Sequence, residues 1–344
     1  MLLWHLNRKW AVRAYLLAIP CLWWQGVSQT HAQAIAWQVA TVGLVSLAVA
    51  SASRMWRSGL AAGVMIGCLC SALFHWPSQG YPMLMLLTLI GWAMVWALIQ
   101  LSPDAAWIEQ SLVWLALVNV GYSLSQCLGY DPLFATDQMT GFMGRINTLS
   151  ALWLICVPLA RGWVKWVLVV AILWLHNWTA MIGLGVLGML WAWKAWPKER
   201  VKLVGVVCAV AGGAVGWWVL HPNLWPMKAV PRILTWQETL GQALWSPLWG
   251  YGLGARSAMS NVGSAGDIGY NVWLEMFHAG GVLLLAPCLL VLWRIWKGAA
   301  SPARTALLLT AAAGCTQSLW NTTGMVVVTL ALVAAWELRR LNAV

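Results

Sequence analysis

Apolar runs close to twenty residues long, separated by short polar, Pro or Gly breaks, recur along the whole chain. A helix that crosses the ~30 Å hydrocarbon core of a bilayer needs ~20 mostly apolar residues. Runs of this kind fall at 10–25, 34–52, 58–75, 82–101, 106–124, 147–160, 164–177, 179–194, 203–220, 270–293, 304–319 and 322–337, twelve in all. The seventh, eighth, eleventh and twelfth are short or closely coupled, so the pattern predicts an all-α polytopic transmembrane bundle of about 12 spans, with ten to twelve as the bounds. No repeat of fixed period stands out and no polar stretch is long enough to fold alone. Residues 1–344 therefore read as a single integral membrane domain. The first run follows Arg8, Lys9 and Arg13 in the manner of a signal peptide, but the hydrophobic segments after it favour a first membrane helix.

Two breaks in the pattern are long. One is 125–145; the other, 221–269, is the longest hydrophilic stretch. Loops longer than ~12–15 residues are commonly functional. Pro231 is placed like a first helical residue, and Trp236, Leu240 and Leu244 follow at i, i+4, i+8 with Gln237, Glu238 and Gln242 elsewhere. This predicts a short amphipathic helix lying on the outer membrane surface. Gly250, Gly252 and Gly254 then permit unusual backbone angles and close approach of a ligand, or simply a flexible turn. In the tenth span Asn271, Glu275 and His278 share one helix face at i, i+4 and i+7. Two readings stand side by side: a polar stripe lining an outward cavity, or Glu275 and His278 bonded to each other.

Composition sharpens this reading. Of 344 residues, 61% are apolar and 8% charged, against ~25% charged in a soluble domain, which excludes an ordinary cytosolic enzyme and a disordered chain. The net charge of +11 would suggest nucleic acid in a soluble protein. With the N-terminus cytoplasmic and the spans alternating, 16 of the 20 basic residues fall on the inner side, and the C-terminus is cytoplasmic too. The basic surplus is then an insertion signal, and no nucleic-acid partner is expected. Four basic residues stay outside against that rule: Arg145, Lys228, Arg232 and Arg256. The eight cysteines form no CxxC pair or His/Cys metal spacing, so neither a metal nor a disulfide framework is expected. Tryptophan is in large excess, 30 against 6 Tyr and 4 Phe, and the hydropathy pattern supplies no reason for it.

Three segments, in this order, resemble the O-antigen ligase and O-antigen polymerase family of bacterial membrane glycosyltransferases. Gly141-Phe142-Met143-Gly144-Arg145-Ile146-Asn147, with Ala151 and Leu152 after it, is similar to the family's Gly-x-Phe-Gly-x-x-Asn entry into a span. Arg232, Trp236, Pro247, Gly250, Gly252 and Gly254 resemble its Arg-x3-Trp, Pro and Gly-x-Gly-x-Gly pattern in the large periplasmic loop. Tyr270-Asn271, Leu274 and Gly281 resemble its His-Asn-x2-Leu motif with a Gly eleven residues after the His. The ligases carry His at the head of that motif, where this chain has Tyr270, which points to a polymerase-like member.

The resemblance implies a multi-pass protein of the bacterial inner membrane. It would transfer or polymerise an oligosaccharide from an undecaprenyl-pyrophosphate carrier on the periplasmic face, to a glycan, a lipid A core or a protein acceptor. A diphosphate leaving group calls for cations around its oxygens, and arginine binds phosphate through a fixed fork. Arg145, Arg232 and Arg256 are the expected pyrophosphate ligands, each donor worth ~2.7–4 kcal/mol on the developing charge. Glu275, Asp267 and Tyr270, in falling order, are the candidates to orient or deprotonate the acceptor hydroxyl. Asn147, Trp236, Gly252, Gly254, Asn271 and His278 complete the expected site. No cofactor or metal is called for. Trp225, Trp236, Trp245 and Trp249 can stack on sugars, although indole also prefers the membrane interface for its own sake.

Other classes compete. A transporter or flippase for lipid-linked glycan would place ionisable residues and broken helices at the midplane, often in repeated halves. Here mid-span charge is scarce and the halves look unlike. A protein O-oligosaccharyltransferase differs only in its acceptor. A purely structural membrane partner leaves the outward arginines without a purpose.

Overall fold

The computed structural model describes residues 2–18, 91, 93–102, 104–131, 141–143, 146–195, 229–251, 271–315 and 323–342. Every regular element among them is helical and none is a strand, as expected for an all-α chain. The helices are α1 (Leu2–Ala18), α2 (Ala105–Cys127), α3 (Ile146–Cys156), α4 (Trp163–Leu175), α5 (Trp178–Ala195), α6 (Ala229–Ala243), α7 (Val272–Lys297), α8 (Pro302–Gly314) and α9 (Thr323–Asn342). A further helical stretch covers 93–101, and Gly141–Met143 forms a 3-10 turn ahead of α3. The expected segments 34–52, 58–75 and 203–220 lie outside the described residues.

Among the described residues α7 alone is long and apolar enough to cross a membrane, while Ile146–Cys156, Trp163–Leu175 and Thr179–Met189 are apolar but short. At ~1.5 Å per residue, α3 spans only about 16 Å. It ends earlier than the apolar run 147–160 suggested because Pro158 follows it, and the residue before a proline is steered out of the helical region.

The bundle is built around α3, whose residues Thr148 to Cys156 are all buried. A short helix buried all round has no free face, and α3 accordingly packs against α2, α4, α5, α8 and α9. Gly183 of α5 lies directly on the Leu154 side chain, so that any Cβ there would clash. The core continues through Val12 and Leu16 of α1, Ile108, Leu112 and Leu115 of α2, and Ala331, Ala334 and Ala335 of α9. Polar residues on α2 are satisfied within their own helix. Ser111 Oγ donates to the Trp107 carbonyl at 2.8 Å, Asn119 Nδ2 to that of Leu115 at 2.9 Å, and Ser123 Oγ to that of Asn119 at 2.8 Å.

One end of the bundle is ionic. The first turns of α2 meet the last turns of α9 there, and Arg339 grips Glu109 through two hydrogen bonds of 2.8 and 2.7 Å. Arg340 pairs with Glu337 on the same helix. Arg304 donates to the terminal carbonyls of α7, those of Ile295 and Trp296, and so closes that helix. All of these residues fall on the inner side of the sequence-based orientation, and the structure gathers them.

Candidate functional site

At the far end of α2 the first motif is docked rather than loose. Gln126 Oε1 accepts from the Gly141 amide at 3.0 Å and Asn119 Oδ1 from the Phe142 amide at 2.8 Å. Gly141 has φ +55°, and a Cβ on it would stand 2.8 Å from Asn119 Oδ1 and 2.8 Å from the Leu149 side chain. Only glycine meets both demands. Phe142 stacks on Tyr122 with ring centroids 4.1 Å apart. Asp131 draws together the Tyr122 hydroxyl at 2.5 Å and Gln126 Nε2 at 3.0 Å. The Asn147 side-chain oxygen accepts from Asn177 Nδ2 at 2.6 Å, and Asn177 in turn caps α5 through the Ala180 amide. Asn147 thus joins the start of α3 to the tight α4–α5 turn, where His176 takes a left-handed conformation.

The second and third motifs interlock. Helix α6 begins at Ala229, two residues ahead of the expected start. Pro231 is tolerated in its first turn because amides there lack an intrahelical partner. The helix packs on α7 through buried Thr239 and Ala243, while Leu240 and Leu244 stay exposed. The chain then turns through 244–250 and lies across α7 where that helix breaks. The break is Gly281, at φ 59° and ψ −156°. Val282 N–H donates to the Pro247 carbonyl at 2.8 Å and Leu283 N–H to that of Leu248 at 3.3 Å, so the amides freed by the break are satisfied from the loop. Gly250 has φ +67°, and a Cβ on it would sit 2.5 Å from the backbone of Ala279.

A polar string crosses this junction. His278, 5% exposed, directs Nε2 at Gln242 Oε1 over 3.1 Å, and Gln242 Nε2 donates to Glu238 Oε1 over 3.1 Å. With the amide in this orientation His278 is the donor, which sets its proton on Nε2. Glu238 Oε2 is buried with no hydrogen-bond partner among the described residues. The Tyr251 ring stacks on His278 at 5.2 Å, and the Tyr251 amide donates to the His278 carbonyl at 2.8 Å.

The expected site residues divide accordingly. His278 reaches across to α6. Glu275 is half-buried in the first turn of α7. Asn271 is the N-cap of that helix, its Oδ1 accepting from Trp273 and Leu274 at 3.0 and 3.1 Å, so it heads the polar face and holds the helix start. Trp236 lies half-buried on α6. Of Arg232, only the helical backbone within α6 belongs to the described residues. Arg145, Arg256, Asp267, Tyr270, Gly252 and Gly254 lie outside them. Glu238, Gln242 and Tyr251 stand outside the expected set of site residues. The i, i+4 spacing of Glu238 and Gln242 on an amphipathic helix was the available signal. Helix α8 packs on α3 at one side and α7 at the other, between the first motif's helix and the interlocked pair. Among the described residues no group of His, Cys, Asp and Glu is arranged to hold a metal ion.

No protein-family model matches the chain, and neither does any curated protein.

Proposed function

We propose that this chain is a multi-pass membrane glycosyltransferase of the O-antigen polymerase and ligase type, acting on the periplasmic face. One observation carries the reading. Each of the three motif segments contains a glycine at positive φ whose Cβ position is already occupied: Gly141 against Asn119 and Leu149, Gly250 against Ala279, and Gly281 against Pro247 and Leu248. At all three positions the backbone itself requires glycine, as the glycines of a structural motif would. The second and third motifs interlock through backbone hydrogen bonds, and the first is docked on α2.

In this reading the acceptor hydroxyl oxygen attacks the anomeric carbon of the carrier-linked sugar. The bond from that carbon to the pyrophosphate oxygen breaks, and the leaving diphosphate takes the electron pair. Arg145, Arg232 and Arg256 neutralise its oxygens. The hydroxyl proton passes to a carboxylate, with Glu275 first, then Asp267, and Tyr270 as an orienting group. The Glu238–Gln242–His278 string holds α6, which carries Arg232, against α7, which carries Glu275. An apolar groove of about 490 Å³, lined by Val120, Leu124, Trp153, Trp166, Val170 and Trp174, is suited to the isoprenoid tail of the donor. The exposed Leu240, Leu244 and Trp245 suit an interfacial placement of α6.

The test is release of free undecaprenyl pyrophosphate by the full chain in liposomes supplied with an undecaprenyl-pyrophosphate-linked glycan and an acceptor. Release should require the acceptor, and Arg232→Ala should abolish it while the protein stays inserted. Movement of intact donor between leaflets without release would instead identify a flippase.

A further inference from the structure

The end of the bundle remote from the Gln242–His278 pair contains a cavity of about 740 Å³ that the transferase reading leaves without a use. The last turns of α7 and α9 and the connection 298–301 line it, and they bring Arg294, Lys297, Arg339 and Arg340 together. The charge does not cancel. Arg339 is paired with Glu109 and Arg340 with Glu337, but Arg294 and Lys297 have no carboxylate partner among the described residues. Lys297 Nζ lies 4.7 Å from the Trp293 ring centroid, and both Arg294 and Lys297 are exposed. Ser301 caps α8 at the cavity wall, accepting from the Arg304 amide at 3.1 Å, so the positive end of that helix adds to the field.

Insertion alone needs basic residues on this side, but it does not need them around a cavity. Nor does it account for what lies beneath them. Leu290 and Trp293 line the same cavity and are 53% and 57% exposed, which puts an apolar strip below two cations that have no carboxylate partner among the described residues, on the one described helix long and apolar enough to span a bilayer. Cations at a helix end above exposed apolar surface match one ligand chemistry, a phosphate ester attached to acyl chains. We propose that this cavity binds the headgroup phosphate of an anionic phospholipid, with Arg294 and Lys297 as its ligands and Leu290 and Trp293 against the acyl chains.

The test uses the full chain in detergent at fixed salt, with an equimolar mixture of dioleoylphosphatidylglycerol and dioleoylphosphatidylcholine, and counts retained lipid by native mass spectrometry. The wild type should retain phosphatidylglycerol over phosphatidylcholine by about tenfold or more. The R294Q/K297Q pair should lose that preference, and R161Q/K165Q, which removes two cations elsewhere, should keep it. Millimolar inorganic phosphate should not displace the lipid. Equal retention of both lipids by the wild type would overturn the proposal without any variant. So would equal losses in the two double variants, which would mean unspecific attraction, or displacement by inorganic phosphate, which would mean a site for the free anion.

Discussion

The carbonyl of Pro247 accepts the amide proton of Val282 at 2.8 Å, at the point where Gly281 interrupts α7. A helix that breaks exposes amides with no acceptor of their own, and at membrane depth no water replaces them. The turn after α6 supplies the acceptors. It can come close enough only because both backbones lack a Cβ at the crossing, on Gly281 below and on Gly250 above. The break in α7 and the loop that fills it are therefore one structural feature held by two glycines.

Gly281→Ala should lower stability by at least ~2 kcal/mol, since a methyl there adds a disallowed backbone angle to a clash with the Pro247 carbonyl. Gly250→Ala should cost a similar amount. The double variant should lose less than the sum, because the first substitution already separates the strands of contact. Gly185→Ala, in a helix with open space around the Cβ position, should be neutral or gain ~0.5–1 kcal/mol. Thermal unfolding in detergent gives all four values. Additive losses at 250 and 281 would show that the two glycines act separately.

Truncating Gln242 and His278 singly and together should reveal a coupling of ~0.5–1.5 kcal/mol, as expected of one partly buried hydrogen bond. Glu238→Gln should leave the Gln242 contact in place and relieve a buried oxygen of its charge, so stability should hold or rise slightly. The same variant should leave carrier release unchanged, because the string that holds α6 against α7 stays in place. A large loss of release with unchanged melting would show that the Glu238 carboxylate takes part in the reaction.

How legible these features were depended on the range of the interaction. Runs of apolar residues located α2, α4, α5 and α7 within a few residues at either end, because a helix and its hydropathy are both local. Helix α1 reaches back to Leu2, since Arg8 and Lys9 end an apolar run without ending a helix. Asn271 fits the i, i+4, i+7 count, yet an Asn directly before an apolar run is also a cap signal, and the cap is what its side chain makes. The contacts of Gly250 with Ala279 and of Gln242 with His278 join residues 29 and 36 positions apart, and no periodicity reports such pairings. The motif resemblance placed those segments in order but not in register.

At the ionic end, hydrogen bonding to Glu109 raises the Arg339 pKa above the ordinary arginine value. A raised folded value means that its contribution is complete below the unfolded pKa and is lost only as pH climbs through the still higher folded one. From the side of Arg339, the stability difference between wild type and Arg339→Gln should therefore stay constant from about pH 7 to about pH 10. Its size should fall between the ~1 kcal/mol of an exposed pair and the ~3–5 kcal/mol of a fully buried one, because Glu109 is buried and Arg339 is about a third exposed. A difference that vanished within that range would mean that another titrating group holds α2 to α9.

The ionic end also explains part of the tryptophan excess. Five cations stand over indole rings: Arg13 over Trp107 at 3.8 Å, Lys165 over Trp191 at 4.6 Å, Lys297 over Trp293 at 4.7 Å, and Arg304 and Arg340 over Trp296 and Trp336 at 6.0 Å each. Of the aromatic side chains, Trp attracts a cation most strongly, and its ring is at home at the membrane interface. Phe at these positions would keep the apolar area and lose much of the attraction. Trp107→Phe should therefore cost ~0.5–1 kcal/mol, because Arg13 bridges α1 to α2 through that ring and through Ser111 Oγ at 3.4 Å. Trp174→Phe, at an exposed ring on the apolar groove, should change stability by less than ~0.5 kcal/mol. Equal costs at the two positions, read from thermal unfolding, would mean that the indoles are retained for bulk alone and that the cations above them are incidental.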